Sequence, residues 1–230
     1  PDDGIGLDDG GTGARAYGEA VGVYLAFVVD KLTDYHSSIC SWHSSRELIR
    51  NVFGRQAIPM TWDYAEANIL SDSAGSFNSM IGWIIKAIKE FPAAHFGGHA
   101  RQFDAQSDNG MRGILVSTDP PYYDNIGYAD LSDFFYVWLR QSLRSTYPKL
   151  FSTMLVPKHE ELVATPYRED RGKDGAREFF EEGMFSTFKQ VNKYAREDVP
   201  VTIYYAFKQS ETETSNDVES TASTGWETML

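Results

Sequence analysis

An acid, two prolines and two tyrosines follow an apolar run near the middle of the chain, at residues 119–123 (Asp-Pro-Pro-Tyr-Tyr). The run itself, residues 114–116, is Ile-Leu-Val without polar alternation, which is typical of a central strand covered on both faces in a parallel sheet. Because proline cannot donate to a β-ladder, the predicted strand ends at Asp119. Ligands of open α/β sheets bind beyond the carboxyl ends of the strands. The sequence therefore predicts that Asp119 and Tyr122 lie at a ligand-binding edge.

Two stretches of the chain resemble one family. Residues 119–122, Asp-Pro-Pro-Tyr, resemble motif IV of the amino-methyltransferases, which methylate the exocyclic nitrogen of adenine or, in sister groups, of cytosine. The longer run from Asp119 to Arg140 is similar to adenine-specific DNA methylases whose full-length members carry a zinc ribbon, and residues 59–68 (Pro-Met-Thr-Trp-Asp-Tyr-Ala-Glu-Ala-Asn) resemble the same group. The resemblance implies methylation of adenine N6, with S-adenosyl-L-methionine as cofactor and DNA as partner.

The resemblance assigns the catalytic roles to Asp119, Pro120, Pro121 and Tyr122. The adenine amino nitrogen is a poor nucleophile because its lone pair is delocalised into the ring. The resemblance implies that the Asp119 carboxylate and the Pro120 carbonyl accept hydrogen bonds from the amino group, which stabilises the positive charge that develops there. Tyr122 would stack on a base that has left the duplex. The alternative is a strand-end turn in which Asp119 caps a later helix and the tyrosines cover the core.

The predicted substrate contacts extend beyond the motif to Tyr123, Asn125, Arg140 and Arg144. With Lys149, the two arginines gather three positive charges within ten residues. Such a cluster suits contact with phosphate. It equally suits the dipole at the C-terminus of a helix.

The predicted cofactor contacts are Asp119, Gly98 and His99, the last two standing where the family carries its motif III. An acid would suit the cofactor better than His99 does. The family holds its cofactor chiefly through a glycine-rich loop after a strand. Residues 10–13 (Gly-Gly-Thr-Gly) follow no apolar strand, which favours a linker. We therefore expect the chain to be a piece of a longer protein, whose remainder is its partner.

The composition of the chain limits the size of its core, the surface available for DNA contact and the chance of a membrane span. The chain has 230 residues, of which 42% are hydrophobic, so a sizeable core is expected. Its net charge of -12 has the wrong sign for a surface that meets phosphate everywhere, so DNA contact is expected to be local or to lie outside this chain. The longest apolar run, residues 21–29, is too short to span a bilayer. We predict no membrane partner and, since no signal peptide is evident, a cytoplasmic location.

His36, Cys40 and His43 are potential metal ligands, spaced by four and three residues. On a continued helix they would lie along one face. No fourth ligand is evident nearby, and a polar helix end with a buried thiol explains the same residues. The single cysteine also excludes an internal disulfide and a four-cysteine zinc ribbon in this chain. We predict no metal site.

Hydrophobic periodicity predicts helices at residues 14–35, 76–91, 129–144 and 178–196. A capping-box pattern at residues 44–47 predicts a short helix through Val52, and Asp63 and Glu66 would share one helical face. A second apolar strand is predicted at residues 199–207, parallel to the first. The residues predicted to face the core on the first three long helices are Tyr17, Val21, Leu25, Val28 and Leu32; Met80, Ile84, Ile85 and Ile88; and Leu131, Phe134, Phe135, Trp138 and Leu139.

These elements predict an α/β fold: a partial Rossmann-like methyltransferase fold, with a mostly parallel sheet, flanking helices and a helical N-terminal part. The predicted organisation is a helical part at residues 1–92, a catalytic half at 93–208 and a flexible segment at 209–230. A charged loop at residues 155–177 is inserted in the catalytic half and expected to be mobile. The cations predicted to reach DNA from this loop are Lys158, His159, Arg168, Arg171 and Lys173.

Two classes of function stay open. The first is adenine-N6 methylation of DNA, with cytosine N4 or RNA adenine as variants that the motif does not exclude. The second is a non-catalytic module that binds nucleic acid or a partner and retains the methyltransferase fold.

Overall fold

A computed structural model describes residues 2–54, 57–91, 97–123 and 126–205. In chain order its elements are α1 (Ala14–Thr33), β1 (Trp42–His43), β2 (Leu48–Ile49), α2 (Phe77–Glu90), β3 (Ser117–Thr118), α3 (Tyr128–Leu143), a 3₁₀ helix (Arg168–Asp170), α4 (Gly172–Tyr194) and β4 (Thr202–Ile203). The described chain thus combines helices with two small sheets, one of them parallel. No helix in the described ranges is long and apolar enough to cross a membrane.

Contacts divide the chain into two units. The first comprises Pro1–Gly97 with Tyr128–Pro157, and it holds α1, β1, β2, α2 and α3. The second comprises Gly98–Gly127 with the described part of Lys158–Leu230, and it holds β3, α4 and β4. Residues 128–157 therefore share a unit with the N-terminal helices, whereas the sequence grouped them with the catalytic half. The predicted boundaries near residues 92 and 208 stay predictions.

Helix α1 is the centre of the first unit, and its predicted extent is confirmed to within two residues. Val28 and Leu32 pack on Met80 of α2, and Ala26 packs on Leu143 and Phe151. The buried stripe was predicted too long. Tyr17, Val21 and Leu25 are exposed because the clusters with α2 and α3 cover mainly the C-terminal half of α1.

Helix α2 begins where its cap predicts. The Ser76 hydroxyl oxygen accepts a hydrogen bond from the Ser79 backbone N–H at 3.2 Å, which satisfies one free donor of the first turn. Met80 is buried, but Ile85 and Ile88 are exposed, so half of the predicted stripe is wrong. The helix packs on α1 through a single cluster near its N-terminus, which leaves its last turns uncovered.

The predicted capping box at residues 44–47 is the turn of a hairpin and not a helix start. Strands β1 and β2 pair antiparallel, with Trp42 opposite Ile49. Glu47 adopts a φ of 50°, which an α-helix does not allow, and the Arg50 N–H donates to the Ser41 carbonyl beyond the pair. The short helix through Val52 is therefore wrong.

Helix α3 matches its predicted range to within one residue. Phe134 and Phe135 pack edge to face on each other and on Phe53, in agreement with their inward assignment. Trp138 is 45% exposed, so its assignment to the core is wrong. Exposure is common to every tryptophan that the structure describes: Trp42 is 52% exposed, Trp62 92% and Trp83 56%.

Strands β3 and β4 are parallel, as predicted, with Ser117 opposite Thr202 and Thr118 opposite Ile203. The first strand lies three residues later than residues 114–116, and Leu115 is 67% exposed. It is therefore not a central strand covered on both faces. The physical reason is that only two pairs form in the ladder, with one further bridge from Ile114 to Ala195.

The segment between these strands packs more tightly than its charge suggested. Helix α4 begins at Gly172, six residues before its predicted start, and Gly172 takes a φ of 65° that favours glycine. Residues 162–165 of the predicted mobile loop are buried. Leu162 and Ala164 join Phe180, which is fully buried, in the core cluster of the second unit. Four residues at the centre of the predicted loop at 155–177 thus belong to the core, and its last six residues lie in α4, while its mobility stays a prediction.

Candidate functional site

Asp119 directly follows β3, at the carboxyl end of the parallel pair, and is exposed. Two backbone hydrogen bonds join strand β4 to the β3 segment. The Thr202 N–H donates to the Val116 carbonyl at 3.1 Å, and the Tyr204 N–H donates to the Thr118 carbonyl at 2.8 Å. Since the strands run parallel, the residues after β4 emerge at the same edge as Asp119. The structure thus places Asp119 at the kind of edge that the sequence predicted.

Tyr122 lies between Asp119 and a residue that follows β4. Its ring meets the ring of Tyr205 edge to face, with centroids 5.5 Å apart and planes at 84°. Partial burial raises the pKa of the Tyr122 phenol, and the charge and hydrogen bonding of the Asp119 carboxylate raise it further. The phenol is therefore neutral at pH 7 beside the Asp119 side chain.

Tyr123 ties the turn to the core of the second unit. Its backbone N–H donates to the Tyr205 phenol oxygen at 3.1 Å, and its carbonyl accepts from the Ala164 N–H at 2.6 Å. Its ring packs edge to face on Phe180, with centroids 5.2 Å apart. Tyr123 thus anchors the turn through three contacts. Its predicted contact with substrate stays a prediction, and the predicted contact Asn125 lies outside the described residues.

The two prolines between Asp119 and Tyr122 differ in exposure: Pro120 is buried and Pro121 half-buried. Within the described ranges, no backbone or side-chain group donates a hydrogen bond to the Pro120 carbonyl. The turn therefore offers two acceptors, a carboxylate and a carbonyl, on consecutive residues. Acceptors so placed suit a ligand that carries an NH₂ group.

The predicted cofactor contacts Gly98 and His99 are both exposed. An added Cβ at Gly98 would meet nothing within 4 Å, so no close approach requires glycine there. The other glycine-rich stretch is closed on itself: the Thr12 N–H donates to the Asp3 carboxylate at 3.0 Å, and a Cβ at Gly11 would clash with the Ile5 carbonyl. Neither stretch forms an open cradle.

The predicted phosphate contacts Arg140 and Arg144 lie on or next to the end of α3 in the first unit. The Arg140 Nε donates to the Thr153 carbonyl at 2.8 Å, whereas Arg144 and Lys149 are exposed. Two of the three positive charges predicted to contact phosphate, Arg144 and Lys149, are therefore at the surface.

Two cations predicted to reach DNA bind within the second unit instead. Arg168 forms an ion pair with Glu161 at 2.7 Å, and both side chains are nearly buried. The Arg171 guanidinium lies 3.7 Å from the centre of the Phe179 ring. The Arg168 side chain is therefore paired within the second unit, whereas Lys173 is exposed.

Residues 57–64 form an irregular segment in which residues that line a cavity alternate with residues that carry large exposed side chains. Ala57, Pro59, Thr61 and Asp63 line a cavity of about 360 Å³ that also contains Cys40, Arg50 and Phe53. The large side chains between them are solvent-exposed: Ile58, Met60, Trp62 and Tyr64. The Thr61 hydroxyl fastens the segment by donating to the Ser38 carbonyl at 2.8 Å. This alternation overturns the prediction that Asp63 and Glu66 share a helical face.

The three weighed metal ligands, His36, Cys40 and His43, lie beyond the end of α1 and not along one helix. His36 Nε2 lies 2.7 Å from the Gly75 carbonyl, and His43 Nδ1 lies 3.0 Å from the Ser45 hydroxyl. Cys40 is buried, and burial raises the pKa of its thiol. Across the part of the chain that the structure describes, no group of three or more metal-ligating side chains is arranged to hold an ion.

Sequence reasoning missed Tyr205. It predicted the strand that carries this residue, at 199–207, but gave the side chain no role. The available signal was a second pair of adjacent tyrosines, Tyr204 and Tyr205, near the end of a strand predicted to run parallel to the first.

No protein family, curated protein or solved structure matches this chain in the comparisons with known proteins.

Proposed function

We propose that the protein is a methyltransferase that acts on the exocyclic N6 amino group of adenine in DNA. The observation that carries the proposal is the common edge of β3 and β4, where Asp119 and Tyr122 lie together with Tyr205. A partial Rossmann-like arrangement is part of the proposal, because a parallel pair joined by a helical crossover is the unit from which such folds are built.

Each residue of the turn has a proposed part. The Asp119 carboxylate accepts a hydrogen bond from one N–H of the adenine amino group, and the Pro120 carbonyl accepts one from the other N–H. The nitrogen lone pair is thereby directed away from the ring system. Both acceptors stabilise the positive charge that forms on the nitrogen as the methyl group arrives. Proline suits this position since its fixed φ orients the carbonyl without an entropic cost.

Tyr122 is the proposed stacking platform for the target base, which must leave the duplex to reach the turn. Its ring is half-buried and held edge to face by Tyr205, so it meets a base with little loss of side-chain freedom. The raised pKa of its phenol keeps the ring neutral beside Asp119.

The methyl donor of the enzymes that the motif resembles is S-adenosylmethionine, and the described residues do not fit it as a whole. They offer one exposed carboxylate at Asp119, while Gly98 and His99 stand in open surroundings and the loop of Gly11 is closed by its own backbone. We assign no cofactor contact to Gly98, His99 or Gly11.

A second candidate function is a non-catalytic module that binds a partner. It is favoured by four large apolar side chains of one short segment that are exposed: Ile58, Met60, Trp62 and Tyr64. Contiguous exposed apolar surface commonly marks an interaction site.

Methyl transfer from labelled S-adenosylmethionine to unmethylated DNA by the full-length protein, with the methylated base identified, tests the first proposal. We expect N6-methyladenine. Asp119→Ala should lower turnover by about a hundredfold or more, since it removes a preorganised acceptor. The control is Asp72→Ala, which removes an exposed aspartate from the first unit and should leave turnover unchanged. Near-normal turnover in Asp119→Ala would contradict the assigned role, and a label on cytosine would contradict the assigned base.

A further inference from the structure

Tyr205 follows β4 by two residues and contacts both residues after the prolines. Its phenol oxygen accepts a hydrogen bond from the Tyr123 N–H at 3.1 Å, and its ring packs on the Tyr122 ring at 5.5 Å between centroids. It also contributes to the raised pKa of the Tyr122 phenol. One side chain from the second strand thus supports the turn that follows the first.

The hydrogen bond acts on the peptide that joins Tyr122 to Tyr123. The far side of Tyr123 is already fixed, since its carbonyl accepts from the Ala164 N–H at 2.6 Å and its ring packs on Phe180 at 5.2 Å. The peptide on the near side determines the direction in which Tyr122 leaves the turn. Loss of this acceptor removes one of the contacts that hold that peptide in place.

The pairing of the strands determines which side chain fills this role. The Tyr204 N–H donates to the Thr118 carbonyl at 2.8 Å, which fixes the register of β4 against β3. Successive residues of an extended chain point to opposite sides, so Tyr205 reaches the turn while Tyr204 is 62% exposed.

We propose that Tyr205 is a positioning residue, which holds the peptide between Tyr122 and Tyr123 and thereby orients the Tyr122 ring beside Asp119. The inference rests on the proposed function, to which it adds a supporting residue. Tyr205 acts through Tyr122 and Tyr123 and needs no contact with the base.

The structural test is the rate of hydrogen exchange at the Tyr123 amide, measured by NMR. Tyr205→Phe keeps the ring and removes the acceptor, so it should speed exchange at this amide about tenfold with the melting temperature nearly unchanged. Tyr204→Phe is the matched control, because it removes a hydroxyl from the adjacent exposed ring, and it should leave the Tyr123 amide unaffected.

The kinetic test is methyl transfer by the same two variants of the full-length protein. We expect Tyr205→Phe to lower kcat about tenfold with KM little changed, since misplacement of a positioned group lowers turnover more than substrate binding. Tyr204→Phe should stay within about twofold of the natural protein in both constants.

The outcomes separate the two proposals. Unchanged exchange at the Tyr123 amide in Tyr205→Phe overturns the inference, as does faster exchange with an unchanged kcat. A large fall in the melting temperature of Tyr205→Phe also overturns it, in favour of a purely structural role. If the natural protein transfers no methyl group, the proposed function fails, and the exchange measurement still decides whether Tyr205 holds the turn.

Discussion

Asp119 and Tyr122 show how two side chains of a short turn come to share one environment. Asp119 is exposed at the end of β3, and Tyr122 is half-buried between it and Tyr205. Burial, and then the charge and hydrogen bonding of Asp119, raise the pKa of the phenol, and the Tyr122 ring is held by packing on Tyr205. The Tyr122 hydroxyl therefore faces Asp119, while the ring provides the apolar surface of the site.

This division gives a prediction for Tyr122. Tyr122→Ala should weaken base binding by roughly 1–3 kcal/mol, the usual effect of removing a stacking ring. Tyr122→Phe should retain most of the binding, because stacking needs the ring and not the hydroxyl. Each variant is titrated with a single-stranded oligonucleotide containing adenine. Fluorescence anisotropy monitors the binding and gives the difference in binding free energy between the variants. Equal losses in the two variants would assign the function to the hydroxyl beside Asp119.

At this scale the sequence was informative because proline cannot donate to a β-ladder. Pro120 and Pro121 therefore fix the end of the strand at Asp119. The position of Asp119 after a parallel strand followed from residue types alone. The contact of Tyr205 did not, since it depends on which residue of β4 lies opposite Thr118, and a shift of one residue would have placed Tyr204 there.

Among the elements, the C-terminal end of α1 carries an unfavourable pair of acids. Asp30 and Asp34 are half-buried one turn apart, where the helix dipole disfavours negative charge. Burial and then the charge of Asp34 raise the pKa of Asp30 to about 6. Burial also raises the pKa of Asp34, although hydrogen bonds from Val52 and Asn51 oppose the shift.

The raised pKa of Asp30 makes the stability of the first unit depend on pH. The folded state holds a proton up to about pH 6, whereas the unfolded chain releases it near the ordinary value of 3.8. The free energy of unfolding should therefore fall as pH rises from about 4 to about 6 and then level off. Asp30→Asn should reduce this slope and stabilise the protein at pH 7 by about 1 kcal/mol, a figure reduced for solvent screening of a half-exposed group.

Urea unfolding at a series of pH values tests this. Asp72→Asn, which changes an exposed aspartate of the first unit, is the control and should keep the slope of the natural protein. An Asp30→Asn variant that is less stable than the natural protein at pH 7 would show that the carboxylate has a favourable partner.

Elements were predicted well where a local signal and a tertiary contact agree. The cap at Ser76 and the periodicity of α3 fixed those helices to within one residue. Residues 44–47 and 162–165 were misassigned because hairpin pairing and core packing overrode their local pattern. No local rule shows that a charged stretch contributes its apolar centre to a core.

At the scale of the whole molecule, the exposed positions of Gly98 and His99 argue against strong cofactor binding by this chain alone. We expect the isolated 230-residue chain to bind S-adenosylmethionine no more tightly than millimolar. One charge-assisted hydrogen bond accepted by the Asp119 carboxylate contributes only about 1.5–3 kcal/mol.

Titration calorimetry on that chain measures the dissociation constant directly, and Asp119→Ala is the matched variant. A micromolar constant that Asp119→Ala leaves unchanged would indicate a pocket elsewhere in the chain. The cavity beside Thr61 and Asp63 would be the first place to substitute.

The exposure of the tryptophans has a practical consequence for following this protein in solution. Trp42, Trp62, Trp83 and Trp138 are each between 45% and 92% exposed in the folded state. Indole emission shifts to the red when the ring meets water, so the native emission of these four described tryptophans should already resemble that of the denatured chain. Unfolding would then change the emission wavelength very little, and circular dichroism of the four helices is the more sensitive signal.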